Sequence, residues 1–248
     1  MPLQKKLNKM KKKLLVISAH SADFVWRAGG TIAKAVEDNA EALVVCMSYG
    51  ERGESGELWK EEHNRSVESV KVIRHEQAQK AADILGTPIQ FLDWGDYPML
   101  ISEERIEQLT KIIGDFEPTV ILTHTAKDPF NPDHPLAYQA TERARLLSCG
   151  AGVPSAFKNI DPPMWYSFEP HQPEICEFLP DTFIDISTVF DKKIAAMNCM
   201  GAQKYLVDYY TELGGRRANH ARRISGKKDV KYAEAHQSHL PRVTNSIF

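Results

Sequence analysis

Cysteine is scarce in this chain: 4 among 248 residues (Cys46, Cys149, Cys176 and Cys199), scattered and without a CxxC pair. That speaks against a cysteine zinc site or a disulfide frame and suits free thiols in a reducing cytoplasm. No apolar run approaches the about 20 residues of a membrane helix. Leu14 to Ile17 is also too short for the ~7–15-residue apolar core of a signal peptide, so a cytoplasmic protein without membrane contact is expected. Excess charge of one sign is missing too. Lys and Arg number 31 against 33 Asp and Glu, a net −2, so no basic field directs the chain to nucleic acid. The one charge cluster, Lys5, Lys6, Lys9, Lys11, Lys12 and Lys13, reads as a solvated tail over residues 1–13. No internal repeat or low-complexity linker divides residues 14–248, a length that suits a single large core.

What is present is an alternation of short β-branched runs with longer amphipathic ones. Leu14–Ala19 and Leu43–Met47 read as strands covered on both faces, with a short helix over Thr31–Asp38 between them. Glu68–Leu85 reads as a long helix stopped by Gly86-Thr87-Pro88. Ile89–Leu92 is the next strand, Glu103–Asp115 a helix, Val120–Thr123 a strand and Asp133–Leu147 a helix. Between Ser148 and Pro180 the periodicity dissolves, except for a strand near Trp165–Phe168. Thr182–Ile186 reads as a strand, Thr188 and Asp191 as a capping box for a helix reaching Tyr210, and the tail from Gly214 as basic and irregular. This order predicts a single-domain α/β fold with a mostly parallel, Rossmann-like sheet and helices on both faces.

Such sheets bind ligands beyond the carboxyl ends of their strands. Four loops there carry the unusual residues: HSAD at 20–23, YGERGES at 49–55, DWGDY at 93–97 and HTAKDPFNPDH at 124–134. A lone histidine after a strand is usually structural, and an aspartate before a helix usually a cap. HxxD and PDH at the same sheet edge are a stronger signal. Two histidines and a carboxylate from the first and fourth loops would make a three-ligand zinc site with an open position, the catalytic pattern.

AHSADFVWRAGGTIA resembles the AHPDDE…GGTIA signature of the PIG-L/LmbE family of zinc-dependent deacetylases, NPDHPLA resembles its HPDH motif, and YAEAH at 232–236 its C-terminal strand. The resemblance implies a PIG-L/LmbE-like fold and zinc (Zn2+) held by His20, Asp23 and His134. The family's general base, the first aspartate of AHPDD, falls on Ala22, and the oxyanion-stabilising histidine of HPDH falls on Asn131. Amide hydrolysis by the family's usual route is therefore not expected.

A longer resemblance is to a hydratase branch of that family, active in gallate and protocatechuate breakdown. SAHSADFVWRAGG, SYGERGES, GDYPM, KDPFNPDHPLA, FEPHQPE, PDTFIDI, DKK and QSHLPRVT match it in order across residues 18–244. It implies zinc-assisted addition of water to a conjugated carbon–carbon double bond of a small tricarboxylate. With Ala22 inert, Glu51 and His171 are the candidate acid–base pair, in either order, with Glu54 and His124 in reserve. Arg27 and Arg52 are candidate carboxylate binders, with Asn131 and His124 beside them, and Arg217, Arg222 and Arg242 further possibilities. Two rivals are an N-deacetylase of a small acetylated sugar or amine, and a catalytically silent metal-binding relative. A homo-oligomer is expected from the general habit of enzymes of this size.

Overall fold

The computed structural model describes residues 12–61, 65–153 and 159–243. Seven strands form one sheet in the order β3-β2-β1-β4-β5-β7-β6. They are β1 Lys13–Ser18, β2 Glu41–Cys46, β3 Ile89–Phe91, β4 Val120–Thr123, β5 Met164–Phe168, β6 Thr182–Asp185 and β7 Ala233–Ser238. The first five pair in parallel, while β7 runs antiparallel between β5 and β6. The helices are α1 Asp23–Glu37, α2 Gly56–Glu61, α3 Val67–Leu85, α4 Glu103–Phe116, α5 Asp133–Cys149, α6 Phe190–Asn198 and α7 Leu206–Ser225.

β1 lies inside the sheet, and its Leu14, Leu15, Val16 and Ile17 are buried on alternating faces. Leu14 and Val16 join one core with α1, α3, α6 and α7; Leu15 and Ile17 join the other with α4 and α5. That two-sided burial explains the unbroken apolar strands, since no face is left for polar residues. Ser66 caps α3 by accepting from the Ser69 N–H at 3.1 Å, and Gly86 ends it in the left-handed region.

Several expected boundaries move for physical reasons. Lys13 is part of β1 and donates its ammonium to the Phe116 carbonyl at 2.9 Å, so it is not tail; Lys5, Lys6, Lys9 and Lys11 lie outside the described residues. The first helix begins at Asp23, not Thr31, and places Gly29-Gly30 in its middle. There the buried Glu234 of β7 accepts from the Gly30 and Thr31 N–H groups at 2.8 and 2.7 Å. Lys193 of α6 binds Glu234 at 2.6 Å and donates to the Trp26 carbonyl at 3.0 Å. A buried ion pair thus enters the helix ladder beside the turn that carries Asp23 and Arg27.

Thr188 does not form a capping box: its hydroxyl donates to Glu37, and Val189 occupies the N-cap. The helix expected to reach Tyr210 stops at Asn198, a short 3-10 turn covers Gly201–Gln203, and α7 follows. The stretch from Gly214 is not irregular either, because it completes α7 and then supplies β7. Among the described residues no helix is long and apolar enough to cross a membrane.

Candidate metal centre and active site

Since β1 to β5 are parallel, the loops that leave their carboxyl ends converge on one edge. After β1, His20 is fully buried, and its N–H donates to Asp23 Oδ2 at 2.9 Å. Asp23 opens α1 but does not cap it; Ala22 holds the N-cap without a side-chain bond. After β2, the Ser21 hydroxyl holds the Tyr49 carbonyl at 2.7 Å, binding the first two loops together. Gly50 sits at φ 68°, where a Cβ would stand 3.1 Å from the His20 Cβ, so only a residue without one lets the loop pass this close. After β4, the run to α5 delivers Asp128, Asn131, Asp133 and His134, all buried.

His20, Asp23, Glu54 and His134 offer ligand atoms that all lie within 4.8 Å of one another. His20 Nδ1 is 3.2 Å from Asp23 Oδ2 and 3.6 Å from Glu54 Oε1. His134 Nε2 is 3.5 Å from Asp23 Oδ1 and 3.7 Å from Glu54 Oε1, and has no hydrogen-bond partner among the described residues. Each imidazole is held from behind by a carboxylate: His20 Nε2 by Asp133 at 3.3 Å and His134 Nδ1 by Asp128 at 2.8 Å. That support turns His20 Nδ1 and His134 Nε2 inward, as the outer carboxylates of metal sites do.

The electrostatics are lopsided. Burial works to lower the His20 pKa, yet Glu54, Asp133 and Asp23 together lift it well above the ordinary value. Burial, with His124 beside it, pushes His134 well below, leaving its inward lone pair free. Buried carboxylates crowded around two imidazoles call for a cation. The orphaned His134 Nε2 and a donor set of two nitrogens with carboxylate oxygens suit a divalent metal.

Beside the cluster opens a cavity of about 460 Å³, lined by Glu54, Tyr97, Asn131, His134, His171 and Gln203 among others. Glu54 Oε1 accepts from the Asn131 amide at 2.9 Å and Oε2 from the Gln203 amide at 3.2 Å. His171 Nδ1 is 3.2 Å from the Tyr210 hydroxyl, and its carbonyl accepts from Tyr209 at 2.8 Å. Burial, with Arg27 nearby, takes the His171 pKa down to about 4.

The expected residues therefore separate. His20, Asp23 and His134 come together, and Asn131 and His171 line the cavity. Glu51 does not line it: its buried carboxyl lies 3.6 Å from Arg52 Nη1, unpartnered in hydrogen bonding, and burial and the neighbouring Asp96 raise its pKa. His124 stacks on His134 at 4.1 Å and accepts the Ala19 N–H at 2.9 Å, which makes it a shelf behind the cluster. Arg27 is buried over the Phe168 ring with Nε 3.4 Å from Asp23 Oδ1 and, among the described residues, Nη2 without a hydrogen bond; it does not line the cavity. Arg52 is half-exposed and donates to the Asp96 carbonyl. Arg217 grips Glu169, Arg222 holds the Val230 carbonyl, and Arg242 is exposed. Sequence reasoning kept Glu54 only in reserve and missed Asp128 and Asp133, although both stand in the run that supplies His134.

A buried two-histidine, carboxylate-rich cluster beside an open cavity, at the carboxyl edge of a parallel sheet, defines a metal-binding α/β enzyme. The chain belongs to the GlcNAc-PI de-N-acetylase (PIG-L) family, which residues 15–145 match. It is 44% identical over 247 residues to the 4-oxalmesaconate hydratase of Pseudomonas putida KT2440, covering 98% of this chain and 95% of that one. The crystal structure of the 4-carboxy-2-hydroxymuconate hydratase from the same organism superposes with a TM-score of 0.92 at 45% identity, over 96% of this chain and 100% of that chain. The diacetylchitobiose deacetylase of Thermococcus kodakarensis is more distant, 27% identical over 77% of this chain and 70% of its own length.

Proposed function

We propose that the chain is a zinc-dependent hydratase that adds water to 4-oxalomesaconate, giving 4-carboxy-4-hydroxy-2-oxoadipate. The hydratase names of the two Pseudomonas relatives describe the keto and enol forms of one tricarboxylate. The observation that carries the reading is the fate of the base. Ala22, where the deacetylases of the resemblance hold an aspartate, is fully buried in the apolar core. The carboxylate beside the metal ligands comes instead from Glu54, which lines the cavity together with His171.

His20, Asp23 and His134 would hold the zinc, which supplies a Lewis acid for a keto or carboxylate oxygen of the substrate. His171, kept neutral by burial, accepts a proton from water. The water oxygen bonds to the substituted alkene carbon, and the displaced electron pair passes into the conjugated carbonyl. The Glu54 carboxyl, steadied by Asn131 and Gln203, then delivers a proton to the neighbouring carbon. Arg27, whose Nε faces Asp23 at 3.4 Å and whose Nη2 has no hydrogen-bond partner among the described residues, is the guanidinium assigned to one substrate carboxylate. Cytoplasmic location and self-association belong to the same proposal, on the four free cysteines and the general habit of such enzymes.

The test is loss of the conjugated absorbance of 4-oxalomesaconate with zinc-loaded protein, before and after chelation, beside an acetate-release assay on N-acetylglucosamine derivatives. Chelator-sensitive hydration without acetate release is expected. Brisk acetate release with no hydration would overturn the reading in favour of a deacetylase.

A further inference from the structure

We propose that the Tyr97 hydroxyl is a substrate-binding group that donates a hydrogen bond to one carboxylate of the tricarboxylate; this rests on the hydratase reading above. Tyr97 lies in the loop after β3, in the GDYPM segment, which the assigned chemistry leaves without a role. Its side chain lines the cavity that Glu54, Asn131, His134 and His171 share, and its ring centre is 6.4 Å from that of His20.

The ring is held in place from several sides. It packs directly on Gly53, where a Cβ would stand 2.0 Å from Tyr97 Cε2. The Tyr97 N–H donates to Asp133 Oδ2 at 3.0 Å, the same carboxylate that supports His20. Neighbouring Asp96 clamps the facing loop by accepting the Arg52 N–H at 3.0 Å and the Gly53 N–H at 2.7 Å. These contacts keep Tyr97 at φ 41°, a conformation that bulky L-residues rarely adopt. Such an outlier at a cavity wall points to function.

The hydroxyl itself is free. Among the described residues it has no hydrogen-bond partner, and the residue is 38% exposed. Two amides on the same wall, those of Asn131 and Gln203, are engaged by Glu54, whereas Tyr97 stands between the ligand His20 and the open cavity. Burial, followed by Glu54 and Asp133, pushes the Tyr97 pKa up to about 12, so the phenol remains a donor throughout any working pH range. Beside the carboxylates of this wall, a neutral O–H can bind a substrate carboxylate without adding charge to the site.

The experiment compares the zinc-loaded full chain with its Tyr97→Phe and Gly53→Ala variants. Propane-1,2,3-tricarboxylate, which cannot be hydrated, is titrated calorimetrically, and KM and kcat are measured on 4-oxalomesaconate. Tyr97→Phe keeps the ring and removes only an unpartnered hydroxyl, so its thermal midpoint should match the parent. Its affinity for the tricarboxylate should fall about 10- to 100-fold, with KM rising by a similar factor, kcat within about threefold and the pH profile unmoved. Gly53→Ala, which displaces the ring, should weaken binding likewise. Unchanged affinity in Tyr97→Phe overturns the inference, as does a kcat loss of a hundredfold at unchanged affinity, which would make Tyr97 a proton donor. Failure of the parent to bind the tricarboxylate also overturns it. Weakened binding by Tyr97→Phe, when the parent itself hydrates nothing, would instead uphold the carboxylate contact and sink the reaction assigned above.

Discussion

Asp128 Oδ2 lies 2.8 Å from His134 Nδ1, on the side of the ring away from the cluster. Asp128 is fixed in turn, accepting the Phe130 N–H at 3.1 Å through its other oxygen. The pair sets the tautomer that leaves His134 Nε2 available as a ligand. Asp128→Asn should weaken zinc binding about 10- to 100-fold, the usual cost of losing such a support. Competition with a chromophoric chelator measures it; parental affinity would show that the contact does not orient the ring.

Glu54 and Glu51 should part company under mutation. Glu54→Gln keeps the side chain's size but removes the transferable proton, and its single amide oxygen can accept from only one of the Asn131 and Gln203 amides. Its kcat should drop by about 10²–10⁴. Glu51→Gln, whose carboxyl faces Asp96 away from the cavity, should stay within a few-fold of the parent. Steady-state kinetics on both variants decide it, and the reverse ranking would return the catalytic role to Glu51.

The pH profile should expose His171. Its pKa of about 4 lies below the ordinary 6.5, so the neutral form that accepts a proton prevails above that point. The kcat/KM curve should therefore carry no His171 limb near 6.5: His171's loss should come only as pH drops toward about 4, while loss of the Glu54 proton, whose pKa burial raises, sets the alkaline side. His171→Ala should lower kcat more than it raises KM, and should remove that limb from the residual activity. A His171-dependent limb near neutral pH would contradict the neutral-base assignment.

Lys193 and Glu234 form a buried pair whose members are each costly alone. Lys193→Met leaves the carboxylate uncompensated and should destabilise the fold by about 3–5 kcal/mol. Adding Glu234→Gln removes the uncompensated charge and keeps one acceptor oxygen for the Gly30 or Thr31 N–H, so it should recover part of that loss. Although burial opposes it, Lys193 and His236 hold the Glu234 pKa below the ordinary 4.5. Its contribution to stability is thus complete above that value and lost as pH falls through the lower folded value. Urea unfolding across acid pH should show a steeper loss in the parent than in Glu234→Gln; equal slopes would remove the pair from the pH dependence.

Much of this molecule is written locally. Each buried parallel strand must be apolar along its whole length, so β1, β2 and β4 announce themselves in LLVIS, ALVVC and VILT. His20 and Asp23 are three residues apart, just after β1, and Asn131 and His134 likewise, at the start of the helix that follows β4. Strand order then needs only to be parallel for the two pairs to meet. Tertiary structure alone decided what depends on direction. Glu51 and Glu54 share one loop; Gly50, pressed against His20, and Asp96, gripping the backbone of Arg52 and Gly53, turn Glu54 inward and leave Glu51 behind. The Gly29-Gly30 pair resembles a helix start until Glu234, more than two hundred residues later, is seen to bind its backbone. The tail from Gly214 instead completes α7 and supplies β7, which pairs antiparallel with both β5 and β6. Spacing along the chain is local and readable, whereas the side to which a loop turns its carboxylate is set by contacts between distant segments.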